Sequence, residues 1–323
     1  MTEQADGFSR SMAPGRGAQA TTGPAAAARI GASFRQASRR AGGVWYAYGS
    51  LAGTPEPVFA QRGDEVVQAY SVNKVGVAVA VLDKVDRGLL ALDQRVDVTP
   101  AIVVPDGYGI FSLDGAYPSA VTLGHALVAL LTVSDDTAAR LCGLVCPAAE
   151  LNEILAAKGF THTRVEPVAD PNRFFLGTST ARESHDLLVR LAAGELLSAA
   201  STGFLLAALR SPIAYTDGVR RVASSAERAR VATKAGWFGT ARHEAGVVFD
   251  AAGGAVLTYA LFGFHDAAVD DFGATHPLVA ARAAMGREFL DATADLGRTA
   301  SAAVARAAGV RWPARANRPT NGG

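Results

Sequence analysis

The run Val75-Gly76-Val77-Ala78-Val79-Ala80-Val81-Leu82 constrains this chain more than any other segment. It belongs to a stretch, Ser71 to Leu90, that is apolar on nearly every face. A helix of that pattern offers no face to water, so it must lie inside a domain with other elements packed around it. The chain has the material for such a core. Its 323 residues are 49% hydrophobic, enough for one large domain or two small ones.

The flanking segments supply the surroundings. A helix is predicted from Pro24 to about Ala41, then a strand at Val44-Trp45-Tyr46-Ala47-Tyr48, a hairpin partner at Val58-Phe59-Ala60, and a short strand from Val66 to Ala69. After the buried helix come helical stretches at Thr122–Leu144, interrupted at Ser134, then at Pro147–Lys158, Thr180–Ala193 and Ser198–Leu209. Strands return at Arg230–Lys234, Ala245–Asp250 and Ala255–Phe264, and a long helix runs from His276 to about Leu296. The two strand groups join naturally in one antiparallel sheet. The expected fold is therefore α+β, an antiparallel sheet flanked by N- and C-terminal helices with an inserted all-helical subdomain. Residues 25–70 and 212–297 form the α/β lobe and 71–211 the helical lobe, with a site between them. Residues 1–24 read as a disordered tail, and 298–323 as a C-terminal tail.

Several function classes fall away. A formal net charge of +1 argues against a strongly basic nucleic-acid binder. No run reaches the roughly 18 apolar residues of a membrane span. No Cys/His cluster has metal-ligand spacing, and His243-Glu244 lacks the second histidine of a zinc helix. No cofactor is implied. Cys142 and Cys146 lie four apart on one helix face and read as small buried hydrophobes rather than a disulfide. The N-terminus shows no signal-peptide core, which makes a cytosolic protein the expectation, or a secreted one if the natural start differs.

The charge balance hides an asymmetry of 27 arginines to four lysines, Lys74, Lys84, Lys158 and Lys234. A lysine can lose its proton and act as a base, whereas an arginine cannot. Lys74 closes Ser71-Val72-Asn73-Lys74, a Ser-x-x-Lys motif at the start of the buried helix. Ser71 and Lys74 then share one face, one turn apart. Free N–H groups and the positive dipole end at a helix start favour an oxyanion. An apolar surround makes the lysine easier to deprotonate, so it can activate the serine. Lys84 and Lys158 read as ordinary helix-surface residues.

Two more motifs accompany the first: Ser134-Asp135-Asp136 in an apolar helical region, and Lys234-Ala235-Gly236 at a strand end. The trio matches Ser-x-x-Lys, Ser-Asp-Asn and Lys-Thr-Gly in order, approximate spacing and context. On these residues the chain resembles the class A β-lactamase family of penicillin-recognising serine enzymes, over about residues 25 to 297. The flanked motif Leu131-Thr132-Val133-Ser134-Asp135-Asp136-Thr137-Ala138-Ala139 strengthens the resemblance. It implies Ser71 as nucleophile, Lys74 as its base or proton shuttle, and Ser134 as relay to the leaving nitrogen. It implies that Lys234 tunes Ser134 and attracts a substrate carboxylate. The N–H groups of Ser71 and Trp237, beside Gly236, would form the oxyanion hole.

The departures bear on specificity. Asp136 stands where the family usually has Asn, and an ionised Asp accepts hydrogen bonds but donates none. Its charge also tends to keep Lys74 protonated. Ala235 removes a hydroxyl that holds a substrate carboxylate in relatives, and Trp237 puts a large ring beside the site. Arg164-Val165-Glu166-Pro167 resembles the family's Arg-x-Glu-Pro loop, which implies Glu166 as the deacylating base. In a second register Thr163-Arg164-Val165 precedes that loop, and the base position falls near Ala169 and Asp170. Tyr108 is either a wall of the site or an ordinary loop aromatic. Arg220 is either a solvated charge or a partner of the carboxylate pocket. His243 reads as structural.

Three functions remain. The first is a serine hydrolase acting through an acyl-enzyme, with β-lactam amide hydrolysis as the family default. The second is an intracellular esterase, amidase or acyltransferase of the same fold. The third is a non-catalytic β-lactam-binding protein. The expected partner is a small molecule with an acyl, amide or ester group and a carboxylate, not nucleic acid or membrane.

Overall fold

Thr22 starts the first helix by accepting the Ala25 N–H, and Pro24 fits the first turn, where no intrahelical donor is needed. The computed structural model describes residues 22–54, 56–113, 115–294 and 296. The readings made for residues 1–21 and 298–323 lie outside the described residues. In chain order the elements begin with α1 (Gly23–Ala41), β1 (Val44–Leu51), β2 (Phe59–Gln61) and β3 (Val67–Gln68). A 3-10 turn, Tyr70–Asn73, runs directly into α2 (Lys74–Asp86). There follow β4 (Arg95–Val98), β5 (Ser119–Thr122), α3 (Leu123–Thr132), α4 (Asp136–Val145), α5 (Ala148–Ala157), β6 (Arg164–Pro167) and β7 (Phe174–Ser179). The chain continues through α6 (Ala181–Ala192), α7 (Ala199–Arg210), α8 (Ser225–Arg228), β8 (Val231–Phe238), β9 (Ala241–Phe249), β10 (Ala255–Phe264) and α9 (Pro277–Thr293).

The terminal strand groups join as expected, in one five-stranded antiparallel sheet of order β2-β1-β10-β9-β8. Both faces are covered, so the central strands β9 and β10 are buried along nearly their whole length rather than alternating with water. Leu257, Tyr259 and Leu261 of β10 pack with Ile30 and Phe34 of α1 and Met285 and Phe289 of α9. Their neighbours Ala260 and Phe262 join the opposite core, built around α2. Residues Val77 to Leu82 of α2 have no exposed surface, as an all-apolar helix requires. Ser50 Oγ of β1 lies 2.9 Å from His185 Nε2 of α6 and ties the sheet to the helical lobe.

Within this architecture the middle lobe is not purely helical. It carries a three-stranded sheet, β3-β7-β6, and a two-stranded one, β4-β5. These strands are only two to six residues long, too short for alternation to stand out against turns. Strands β8 and β9 also extend past their predicted ends, to Phe238 and back to Ala241, which brings Trp237 and His243 into the sheet. Among the described residues no helix is long and apolar enough to cross a membrane.

Candidate active site

Ser71 sits on the 3-10 turn before α2, against the edge strand β8. The approach needs a glycine: a Cβ on Gly236 would lie 2.8 Å from Ser71 N and 2.9 Å from Val72 N. The turn is held from behind by His243, whose Nε2 lies 3.1 Å from the Gln68 carbonyl. Gly263 N donates to His243 Nδ1, so the ring is neutral and its proton sits on Nε2. Burial accounts for this, holding the His243 pKa down at about 3. Tyr70 adopts a left-handed φ of 49° next to Ser71, and Ser134 adopts one of 57°. Such non-glycine conformers cost on the order of 1 kcal/mol or more and persist only where the surroundings impose them.

Two lysines of the motifs converge on one oxygen, Ser134 Oγ. Lys74 is fully buried, and its Nζ donates to Ser134 O (2.6 Å), Ser134 Oγ (3.2 Å) and Asp136 Oδ1 (2.7 Å). An ammonium has three N–H donors, and each finds an acceptor here. Lys234 Nζ donates to Ser134 Oγ (2.9 Å) and to the Ala235 carbonyl (2.8 Å). With two lysines donating to it, the Ser134 hydroxyl keeps its own proton free to donate outward. Burial holds the Lys74 ammonium below the usual lysine range, and the Asp136 charge opposes that shift. Lys234 is driven well below the usual range, by burial first and then by the Lys74 charge. Cys142 lies beneath Lys74 in the core, and burial pushes its thiol up to about 12, in keeping with an inert hydrophobe.

The two aspartates of the second motif staple a loop over this centre. Asp135 caps α4 at Ala138 N (2.8 Å) and also accepts Ile110 N (2.6 Å) and Phe111 N (2.9 Å). Gly109 passes so close that a Cβ there would overlap the Asp135 carboxylate. Asp136 Oδ2 accepts Tyr108 N (3.0 Å), while Asp136 N donates to Tyr108 O (2.9 Å). Tyr108 is therefore fixed at the site, and its ring meets Trp237 edge to face at 5.2 Å. Trp237 in turn leans on Tyr215 at 5.8 Å.

Other expected residues make no hydrogen bond to this cluster among the described residues. Glu166 is exposed on β6, paired with Phe175, while its neighbour Val165 is the residue turned into the core. Among the described residues no hydrogen bond or ion pair joins Glu166 to Ser71, Lys74 or Ser134. Ala169 and Asp170 are exposed in the β6–β7 turn, where Asp170 accepts Asn172 N. Arg220 is fully buried and spends its guanidinium on the carbonyls of Ser211 and Ala214. Lys84 and Lys158 are not surface residues. Lys84 bridges α2 to Glu150 and the Val145 carbonyl, and Lys158 binds Asp83 and the Leu196 carbonyl. Sequence reasoning missed Asp135 as the loop staple, though an acidic residue one place ahead of a helix is a capping signal. Tyr215 gave no signal at all.

Residues 25–292 match the sequence model of the beta-lactamase enzyme family. No curated protein matches in sequence. Among solved structures, a beta-lactamase from Sphaerobacter thermophilus is 23% identical with a TM-score of 0.67, covering 82% of this chain and 96% of that one. A beta-lactamase from Chitinophaga pinensis is 20% identical at 0.69, with 82% and 99% covered. PBP-A is 21% identical at 0.66, with 81% and 96% covered. These similarities carry the fold. Taken with the family match over most of its length and the three converging motifs, they lead to one conclusion: the chain belongs to the beta-lactamase enzyme family.

Proposed function

We propose that the protein is a serine hydrolase that works through an acyl-enzyme on Ser71. The observation that carries this reading is Ser134 Oγ, held between Lys74 Nζ and Lys234 Nζ beside the turn that bears Ser71. In this mechanism Ser71 Oγ attacks the acyl carbon. Its proton passes by way of Lys74 and Ser134 to the leaving atom. The Ser71 and Trp237 N–H groups receive the developing oxyanion, each worth about 10²- to 10³-fold in rate. Lys234 attracts a substrate carboxylate. Amide hydrolysis of a β-lactam is the first substrate reading.

Specific features favour a second reading, an esterase, amidase or acyltransferase of the same chemistry. Asp136 offers no donor to a substrate carbonyl, and Ala235 has no hydroxyl for a carboxylate. Glu166 is exposed on β6, so water attack on the acyl-enzyme has no carboxylate base from that position, and turnover of a β-lactam is slow. Incubation with a penicillin, followed by intact-protein mass measurement, separates the readings. A transient adduct with released product supports β-lactam hydrolysis. A persistent adduct on Ser71 supports the second reading. No adduct, together with no esterase activity, leaves a binding protein and sinks both.

A further inference from the structure

We infer that the site selects acyl donors bearing an ammonium group next to the acyl carbon, bound by Asp136 together with the rings of Tyr108 and Trp237. This rests on the acyl-transfer reading above. The Asp136 side chain keeps 34% of its surface exposed at the mouth of the site. Its Oδ1 faces Lys74 and its Oδ2 faces Tyr108 N, but each oxygen retains a second lone pair. A substrate carbonyl placed there meets lone pair against lone pair. A substrate N–H meets an acceptor, and a charged one makes the stronger bond.

The aromatic residues favour the same ligand. Both backbone polar groups of Tyr108 are bonded to Asp136, so the ring and the carboxylate are positioned as one unit. Tyr108 is 51% exposed and lies edge to face with Trp237, so an exposed aromatic pair is anchored to the carboxylate through the Tyr108 backbone. Ring faces attract cations.

The cations of the site do not cancel this preference. Lys74 is sealed behind Asp136 with no exposed surface, whereas Asp136 keeps 34% of its own, and Lys234 points at Ser134 and Ala235 O. Arg220 and Arg242 turn away: both donate to backbone carbonyls, Arg242 to those of Gly239, Ala241, Val269 and Asp271. Neither of these two guanidinium groups is left for an anionic acyl group, while an ammonium finds Asp136. In the reaction the Ser71 Oγ–carbon bond forms and the bond from carbon to the leaving oxygen or sulfur breaks. The serine proton leaves on that atom, and water later releases the acid.

The test compares two phenylalanyl thioesters of one small thiol, one with a free α-ammonium and one N-acetylated, by thiol release and by mass of the Ser71 adduct. The full chain should favour the free ammonium ester by roughly tenfold in kcat/KM. Asp136→Asn should reverse the order, since Asn donates to the acetyl carbonyl. Tyr108→Leu should reduce the preference without reversing it. Equal or better use of the acetylated ester by the unmodified chain overturns the inference, and so does an unchanged ratio in Asp136→Asn. If Asp136→Asn does not fold, salt decides: the preference should shrink as ionic strength rises, and a constant ratio overturns it. A fluorophosphonate adduct on Ser71 without reaction of either thioester refutes the substrate class but keeps the nucleophile. No Ser71 adduct with any probe overturns the acyl-transfer reading itself.

Discussion

Lys74 Nζ lies 2.7 Å from Asp136 Oδ1, in a pair whose lysine side chain has no exposed surface and whose aspartate keeps 34%. The lysine is thus sealed on the protein side, and the aspartate carries the contact to the solvent side of the cleft. Asp136 opposes the effect of burial on Lys74, so removing its charge has a definite sign. In Asp136→Asn the lysine keeps an acceptor but loses the charge that holds its proton. Lys74 then becomes neutral at lower pH, and the acidic limb of the Ser71 acylation profile moves to lower pH. Fluorophosphonate labelling rates from pH 5 to 9 measure this. A limb that does not move shows that another group sets it.

Gly236 passes close to the backbone of the Ser71 turn, with no room for a Cβ between them. Neither side can give, because both are main chain. Gly236→Ala should displace the turn and cut Ser71 labelling about 100-fold, since misplacing a reacting group by an ångström costs that much. The thermal midpoint should fall by a few degrees. Labelling at the original rate would mean that the close approach does not position Ser71.

Glu166→Gln tests the deacylation question from the opposite side. The residue is exposed on β6, and among the described residues no hydrogen bond or ion pair joins its side chain to Ser71, Lys74 or Ser134, so the lifetime of a penicillin adduct should stay within about twofold of the original. A lifetime that lengthens strongly would show that Glu166 reaches the acyl carbon during turnover.

Acid should unfold the protein through its buried histidines. His243 is held neutral with a pKa of about 3 and His276 with one of about 4, against 6.5 for an ordinary ring. The unfolded chain therefore binds protons that the folded one refuses. This stability is complete above pH 6.5 and is lost as pH falls toward those values, by on the order of a few kcal/mol. Urea midpoints should fall steadily between pH 7 and 4, and less steeply in His243→Asn or in His276→Asn. Flat midpoints over that range would contradict the assignment.

What the sequence revealed follows from how local each signal is. The Ser71–Lys74 spacing, the break in the helical stretch at Ser134 and the apolar faces of α2 are properties of a few adjacent residues. Each appears in the fold where the pattern placed it. The convergence of Lys74 and Lys234 on Ser134 joins three segments, and only the order of motifs signalled it. The strands β4 to β7 escaped because each is short and most are at sheet edges. The position of Glu166 depended on hairpin register, which one residue of slip reverses. Val165 won the inward place because it is apolar, and the carboxylate beside it went to water. Lys84 and Lys158 were misread because an amphipathic pattern does not show which polar residues bridge to a neighbouring helix.

That misreading points to a use. All four lysines of the chain are engaged: Lys74 and Lys234 are buried at Ser134, and Lys84 and Lys158 keep only 12% and 18% of their side-chain surface. The other permanently charged basic side chains are the 27 arginines, which amine-reactive reagents do not touch. Acylation of lysine amines therefore becomes a clock. Each lysine modified records an opening of the lobe that held it, and the order in which the four react maps which part of the protein loosens first.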